Sequence, residues 1–315
     1  MNNPGFFFIM KGEWEVPSCA KEEIALLSFF QTVSMYQEAA FTALIRNALA
    51  EDIGSGDHST LACIPASARG GARLKIKEDG ILAGMEVAEA IFRMLDQSSI
   101  FKPLKKDGEK MTAGETAFEI EASVHTLLMG ERLVLNCMQR MSGIATLTHS
   151  YVEKLKGYHT RLLDTRKTTP NFRLLEKEAV RIGGGVNHRM GLYDMVMLKD
   201  NHIDFAGGIT AAVTKTVAYL DEKQLPLQIE VETRSLEDVK EVLAVGQVQR
   251  IMLDNFRPQQ IREALALIGG RYETEASGGI NLGNLEEYAE TGVDYVSAGA
   301  IIHHAVSLDL SLKAI

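Results

Sequence analysis

Beyond residue 160 the chain repeats one layout: a short β-rich run ends in a polar or glycine residue, and a helix-like segment follows. The runs are RLLDTRK, MVMLKDN, LQIEVET, RIMLDNF, TEASGGI and YVSAGAI. The last four end near Glu232, Asp254, Ser277 and Ala298, at separations of 22, 23 and 21 residues, the length of a compact strand–helix unit. Between them, SLEDVKEVLAVG, RPQQIREALALI and NLGNLEEYAETG read as amphipathic helices, two with Gly at their ends. Strands alternating with helices predict a parallel sheet. The polar residues then gather at strand C-terminal ends, where both closed barrels and open doubly wound sheets bind their ligands.

The first half is patterned differently. Residues 36–50 carry Phe41, Leu44, Ile45, Ala48 and Leu49 at helical spacing. EDIGSGDHST follows as a tight polar turn, with Asp57 placed to cap it before Ser59 and Thr60. ARLKIKEDGILAG reads as strand, turn, strand; EVAEAIFRML as helix; MTAGETAFEIEAS as a further hairpin-like strand pair. This region is therefore α+β. GERLVLNCMQRMSGIATLTHSYVEKL reads as one long helix, apolar on more than one side and so buried against other elements. Residues 1–35 match neither half; they hold Trp14 and the run Phe6–Phe8. Two readings fit them: an upstream extension before a start at Met35, or an N-terminal arm that packs on the body.

Composition narrows the class. Over 315 residues, 46% hydrophobic and 24% charged describe an ordinary soluble globular protein with room for one large core or two moderate ones. A formal net charge of -9 argues against broad nucleic-acid contact, which needs a positive stripe. Cys19, Cys63 and Cys137 are far apart and form no C-x-x-C, so they read as buried thiols in a reducing cytoplasm. No run reaches the ~18 apolar residues of a membrane span. The apolar run Phe6–Met10 is short, with no basic residue before it, which argues against a secretory peptide.

Against that acidic background one stretch is basic. Arg166 and Lys167 follow a strand, His188 and Arg189 follow the run GGGVN, and Lys199 closes another strand. Guanidinium groups bind carboxylate or phosphate bidentately and lysine acts as a point charge, so the cluster predicts a pocket for a small polyanion. The alternative is salt bridges to Glu176, Glu178 and Asp194. Glu232 and Asp254 stand at strand ends, either to bind Mg²⁺ through oxygen or to pair with the basic cluster. Ser277, Gly278 and Gly279, and then Ser297, Ala298 and Gly299, are small enough for backbone N–H groups to approach a phosphate, helped by the start of the next helix. His125, His149, His159 and His202 read as core or surface residues. His303 and His304 are set aside, because neighbours on one strand cannot both point inward. No G-x-S-x-G, P-loop or dinucleotide fingerprint occurs.

The run DTRKTTP…LEKEAVRIGGGVNHRMGLYDMVMLKDNH strongly resembles the quinolinate phosphoribosyltransferases, as do EDIGSGDHST, ERLVLNCMQRMSGIATLT, EVET, MLDNF, EASGGI and VSAGAI, in the right order over about residues 36–315. The resemblance implies an α/β fold: an N-terminal sandwich domain over 36–140 and a C-terminal α/β barrel of TIM-like parallel strands over 141–300. Residues 301–315 would return to the N-terminal domain. It implies a cytoplasmic enzyme of NAD biosynthesis, a homodimer or hexamer, that uses Mg²⁺. Its substrates would be quinolinate and phosphoribosyl pyrophosphate, its products nicotinate mononucleotide, pyrophosphate and CO₂. Arg166, His188, Arg189 and Lys199 match the pocket for the quinolinate carboxylates, with Thr165 a further substrate-binding position. Arg132 matches an arginine lent by the neighbouring subunit. Lys167, Glu232 and Asp254 match positions near the ribose, pyrophosphate and metal, and the two small-residue turns match the 5′-phosphate loops. His58 stands where an aliphatic residue is common, in a domain expected to be structural. Two rivals share the scaffold: a paralogous enzyme with another substrate, associated with molybdenum transport operons, and a non-catalytic phosphosugar-binding protein.

Overall fold

The computed structural model describes residues 38–315. The readings made for the N-terminal stretch, including Trp14, Cys19 and Met35, lie outside the described residues. Helix α1 runs over residues 38–53 and buries Ile45 and Leu49. Helix α2 (His58–Cys63) starts where the Asp57 carboxylate accepts the Thr60 N–H at 3.1 Å, satisfying an otherwise orphaned donor. Then come β1 (Arg69–Ile76), β2 (Gly80–Ile81), α3 (Met85–Leu95), β3 (Ile100–Pro103), β4 (Lys110–Met111), β5 (Thr116–Ser123) and α4 (Val124–Lys154).

Alternation does what it should in β1 and β5. Leu74, Ile76, Phe118 and Ile120 face a fully buried layer. Phe92 of α3 meets Phe118 edge-on at 6.3 Å, which fixes that helix on the sheet. The two expected hairpins do not form. β1 pairs with β5, while the two-residue strands β2 and β4 pair with each other across the intervening helix. Asp79 helps set that crossing by accepting the Ala113 N–H at 2.8 Å. β3 was not expected at all: its residues are largely exposed and end in proline, so they show no alternation. Cys63 is exposed rather than buried, because α2 is a short surface helix; Cys137 is buried as expected.

The long helix α4 begins at Ser123, whose hydroxyl accepts the Thr126 N–H at 3.0 Å. It covers 31 residues, so a division of the chain at 140 falls inside it. Gly143 in its middle is an unfavourable helix residue, but a Cβ there would meet the Val306 carbonyl oxygen at 2.0 Å. The glycine lets the C-terminal segment cross the helix, and β12 (Leu310–Ala314) then pairs antiparallel with β1. The sheet order is β12-β1-β5-β3.

The second half alternates β6 (Arg161–Leu163), α5 (Arg173–Ile182), β7 (Val196–Leu198), α6 (Asp200–Ala206), α7 (Ile209–Lys223), β8 (Ile229–Thr233), α8 (Leu236–Val245), β9 (Arg250–Asp254), α9 (Pro258–Ile268), β10 (Glu273–Ser277), α10 (Leu285–Ala289), β11 (Tyr295–Ser297) and α11 (Ala300–His303). All six runs read as strands are strands, and all pair parallel. The order β6-β11-β10-β9-β8-β7 sets the last strand beside the first, the cyclic order of a TIM-like barrel, with β6 and β7 at the seam. On its other side β6 meets Val186 through a single parallel bridge.

Candidate active site

A cavity of about 780 Å³ opens at the C-terminal ends of the barrel strands. Its wall contains Thr165, Arg166, Lys167, His188, Arg189, Lys199, Glu232 and Asp254, together with both turns, Ser277 to Gly279 and Ser297 to Gly299. Sequence-predicted residues from seven separate segments thus meet in one place. Arg132 does not join them: it is exposed on α4 and lies outside the cavity wall of its own chain.

Each segment is fixed locally. After β6, the Lys167 N–H is held by the Thr165 hydroxyl at 3.0 Å. Thr169 N–H donates to Glu176 Oε2 at 2.8 Å, and Glu176 also accepts from Arg140 at 2.8 Å. Arg140 donates in turn to the carbonyls of Ile302 and Ala305 at 2.8 and 2.7 Å. Glu176 is therefore committed to Arg140, Glu178 to Arg181, and Asp194 to the N–H groups of Met190 and Gly191. None of these three acids neutralises the basic cluster through a salt bridge.

The two arginines consequently share the cavity wall, close enough to feel each other's charge. The Nε atoms of Arg166 and Arg189 are buried with no hydrogen-bond partner. Burial, and next the charge of Arg166, hold the Arg189 guanidinium below its usual range. Arg189 Nη1 is anchored on the Met195 carbonyl at 3.1 Å. Two cations in this arrangement are complementary to a ligand with two anionic groups.

The carboxylates read both ways. Glu232 Oε2 accepts from Lys199 Nζ at 3.1 Å, so an ion pair with the basic cluster does form. Asp254 is pushed up by burial and then by the charge of Glu232, so two hard oxygen donors sit close enough to repel. Such a pair fits a Mg²⁺ ion that keeps water and phosphate in its shell.

Asn255 follows in the left-handed region at φ 58, and its N–H donates to the Ser277 carbonyl at 2.8 Å. This packs its side chain under the next turn. A Cβ on Gly278 would lie 2.2 Å from Asn255 Oδ1, at a φ of +103, so only glycine fits. The helix expected directly after that turn starts only at Leu285; Asn281 and Asn284 instead bind the Gly279 carbonyl at 3.1 and 3.2 Å.

His303 and His304 also line the cavity. The argument that set them aside assumed a strand, whereas they end the short helix α11, where neighbours can share one side. Burial, then His304 and Lys167, lower the pKa of His303. Adjacent histidines following a small-residue turn were the signal available in the sequence.

Behind the wall, and in it at Glu275, lies a set of charges that sequence reasoning missed. Asp164 and Lys177 form a fully buried pair. Glu230 and Glu275 are likewise fully buried, and Glu230 Oε2 and Glu275 Oε2 lie 2.9 and 3.3 Å from His188 Nε2. Burial opposes charge on His188 and the two neighbouring glutamates favour it, with a net push upward, but a second ring proton would displace the Arg189 N–H from Nδ1, so the hydrogen bonding holds the ring neutral. Burial and the charge of Glu275 push Glu230 up to about 7. Because Nδ1 accepts the Arg189 N–H at 2.6 Å, the proton shared with the carboxylates belongs to Nε2. The three side chains are close enough to hold a metal ion, but a protonated Nε2 has no lone pair to offer one.

Known proteins match along the same residues. Two family models, described as quinolinate phosphoribosyl transferase N-terminal and C-terminal domains, match residues 57–142 and 144–313. A nicotinate-nucleotide pyrophosphorylase [carboxylating] of Arabidopsis thaliana, named as chloroplastic, is 40% identical over 99% of this chain and 93% of its own length. A probable nicotinate-nucleotide pyrophosphorylase [carboxylating] of Synechocystis is 46% identical over 85% of this chain and 90% of its own. The crystal structure of NadC from Streptococcus pyogenes, 42% identical, covers 86% of this chain and 95% of that one with a TM-score of 0.80. With both domain models matched in order and the barrel-end cavity in place, the chain belongs to the quinolinate phosphoribosyltransferase family.

Proposed function

We infer that this chain transfers a phosphoribosyl group from phosphoribosyl pyrophosphate to quinolinate and releases nicotinate mononucleotide, pyrophosphate and CO₂, a step of NAD biosynthesis. The observation that carries the reading is the pair Arg166 and Arg189, whose buried Nε atoms have no partner. Quinolinate is a dianion on a planar ring, and planar guanidinium groups match its carboxylates. His188 and Lys199 complete the basic wall.

The ring nitrogen attacks the ribosyl carbon and displaces pyrophosphate, so positive charge develops at that carbon. Glu232 and Asp254 stand on the cavity wall to stabilise it electrostatically. The same two carboxylates would hold Mg²⁺, which when bound stabilises the pyrophosphate leaving group. Lys167, whose side chain passes beside Gly299 on the cavity wall, would supply charge to the phosphate end. Ser277 to Gly279 and Ser297 to Gly299 offer backbone N–H groups to the 5′-phosphate. Once ribosylated, the ring nitrogen is cationic and eases loss of the adjacent carboxylate as CO₂. No protein nucleophile is needed.

Arg132 is read as a residue lent to the cavity of a second copy in a homodimer or hexamer; its exposure on α4 supports this. A cytoplasmic or other reducing location is supported by the free thiols of Cys63 and Cys137. The test mixes the purified chain with quinolinate, phosphoribosyl pyrophosphate and Mg²⁺. Nicotinate mononucleotide and CO₂ should appear in equal amounts. Folded protein that makes neither would turn the reading to the paralogous enzymes, and other pyridine acids would be screened.

A further inference from the structure

His188 is gripped twice, by groups that act on different parts of it. Its main chain is held by one buried pair: the His188 N–H donates to Asp164 Oδ1 at 2.8 Å, and its carbonyl accepts from Lys177 Nζ at 2.9 Å. That holds the main chain at His188 but not at Arg189. Its imidazole is held by another: Nε2 lies between Glu230 Oε2 at 2.9 Å and Glu275 Oε2 at 3.3 Å. Arg250 supplies the opposing charge from the next strand, with Nη1 3.6 Å from Glu275 Oε2 and its guanidinium 4.4 Å above the Tyr295 ring.

Two buried carboxylates are a costly way to fill a barrel, since taking each from water costs several kcal/mol. Apolar residues would pack the same space at less cost. Both carboxylates approach the imidazole Nε2 within ion-pair distance, and neither their oxygens nor Nε2 has a well-formed hydrogen bond to any other group. The imidazole passes the constraint on, because its Nδ1 accepts the N–H of Arg189.

We propose that Glu230 and Glu275 are positioning residues for the diacid site: by fixing the imidazole of His188 they set the backbone of Arg189 and so aim its guanidinium. The proposal rests on the reading that Arg166 and Arg189 bind the ring carboxylates. It assigns a purpose to the two carboxylates that face His188 inside the barrel.

The test uses the full-length chain as Glu230→Gln and Glu275→Gln, which keep size and remove charge. The KM for quinolinate should rise about tenfold or more, equivalent to ~1.4 kcal/mol, in at least one variant. In Glu230→Gln the KM for phosphoribosyl pyrophosphate should stay within about twofold, because that carboxylate lies off the cavity wall. A second measurement needs no glutamate variant: ¹⁵N spectra of the histidine rings, with His188 assigned by loss of its signal in His188→Asn, should show Nε2 protonated and Nδ1 bare. Unchanged KM values, a parallel rise for both substrates in Glu230→Gln, or a bare Nε2 would each overturn the proposal. If the variants do not fold, the ring spectrum of the unaltered chain decides. Failure of the underlying reading is separate and visible first, as absence of quinolinate turnover by the unaltered chain.

Discussion

The antiparallel sheet and the barrel both enclose a buried layer, yet the two are filled with opposite chemistry. Leu74, Ile76, Phe118 and Ile120 line the one, and His188, Glu230, Glu275, Asp164 and Lys177 sit inside the other. Apolar burial is non-directional and contributes roughly 25 cal/mol per Å² removed from water. It stabilises the sheet without aiming any group. Buried charges add little net stability and are strongly directional, so they suit a region that must hold arginines at fixed angles. The difference teaches where to look for function in this chain: not in its core as such, but where the core is charged.

The comparison can be broken by substitutions that exchange the two behaviours. The largest effects should come from the interiors. Phe118→Ala removes a buried ring from the sheet and should cost ~3–5 kcal/mol in denaturant unfolding. Enzyme that remains folded should keep its KM for quinolinate. Lys177→Met leaves Asp164 without its partner and should cost about as much, ~3–5 kcal/mol. Here the quinolinate KM should rise as well, because the His188 carbonyl loses its donor. Equal KM behaviour of the two variants would erase the distinction drawn between the regions.

Next in size, Arg189→Ala should lower kcat/KM for quinolinate about a hundred- to a thousandfold, as expected for loss of a buried charged contact of ~2–5 kcal/mol. Its thermal unfolding should change little, since burial and Arg166 already disfavour that charge. Smaller still, Ser123→Ala removes the cap of α4 and should cost ~1 kcal/mol.

The smallest effect depends on pH. Burial pushes Asp107 up from 3.8 to about 6 in the folded chain. Between those values the folded chain binds more protons than the unfolded one, so this group's contribution to stability falls as pH rises through that window and is constant above it. Asp107→Asn keeps an acceptor for the Met85 N–H, bound at 3.0 Å, and removes the charge. Its Tm should rise slightly at pH 8 and hardly change near pH 4.

The sequence made the barrel legible because strands buried on both faces read as apolar runs with polar ends. The site followed from it, since RLLDTRK, MVMLKDN and their successors each deliver their polar residues to the same rim. The antiparallel region was harder. β2 and β4 are two residues each and pair across a helix, so local turn signals pointed to hairpins that do not exist. β3 is exposed and ends in proline, which hides a strand from any periodicity. The charged interior was missed for a physical reason too. In LQIEVET, Glu230 and Glu232 alternate with apolar residues, the pattern of a strand with one wet face. In a closed barrel that face turns inward, and only Glu232, at the strand end, reaches the cavity. Arg132 shows the reverse limit: matched to the site by its motif, it is exposed on α4 and stands outside the cavity wall of its own chain.

The central claim is that the paired arginines select a ring with two carboxylates. It is tested most directly by offering quinolinate and nicotinate as competing acceptors, with phosphoribosyl pyrophosphate and Mg²⁺, and counting CO₂ against nucleotide formed. One CO₂ for every nucleotide, with nicotinate ignored, is the expected result. Nucleotide formed from nicotinate as readily, and without CO₂, would contradict it.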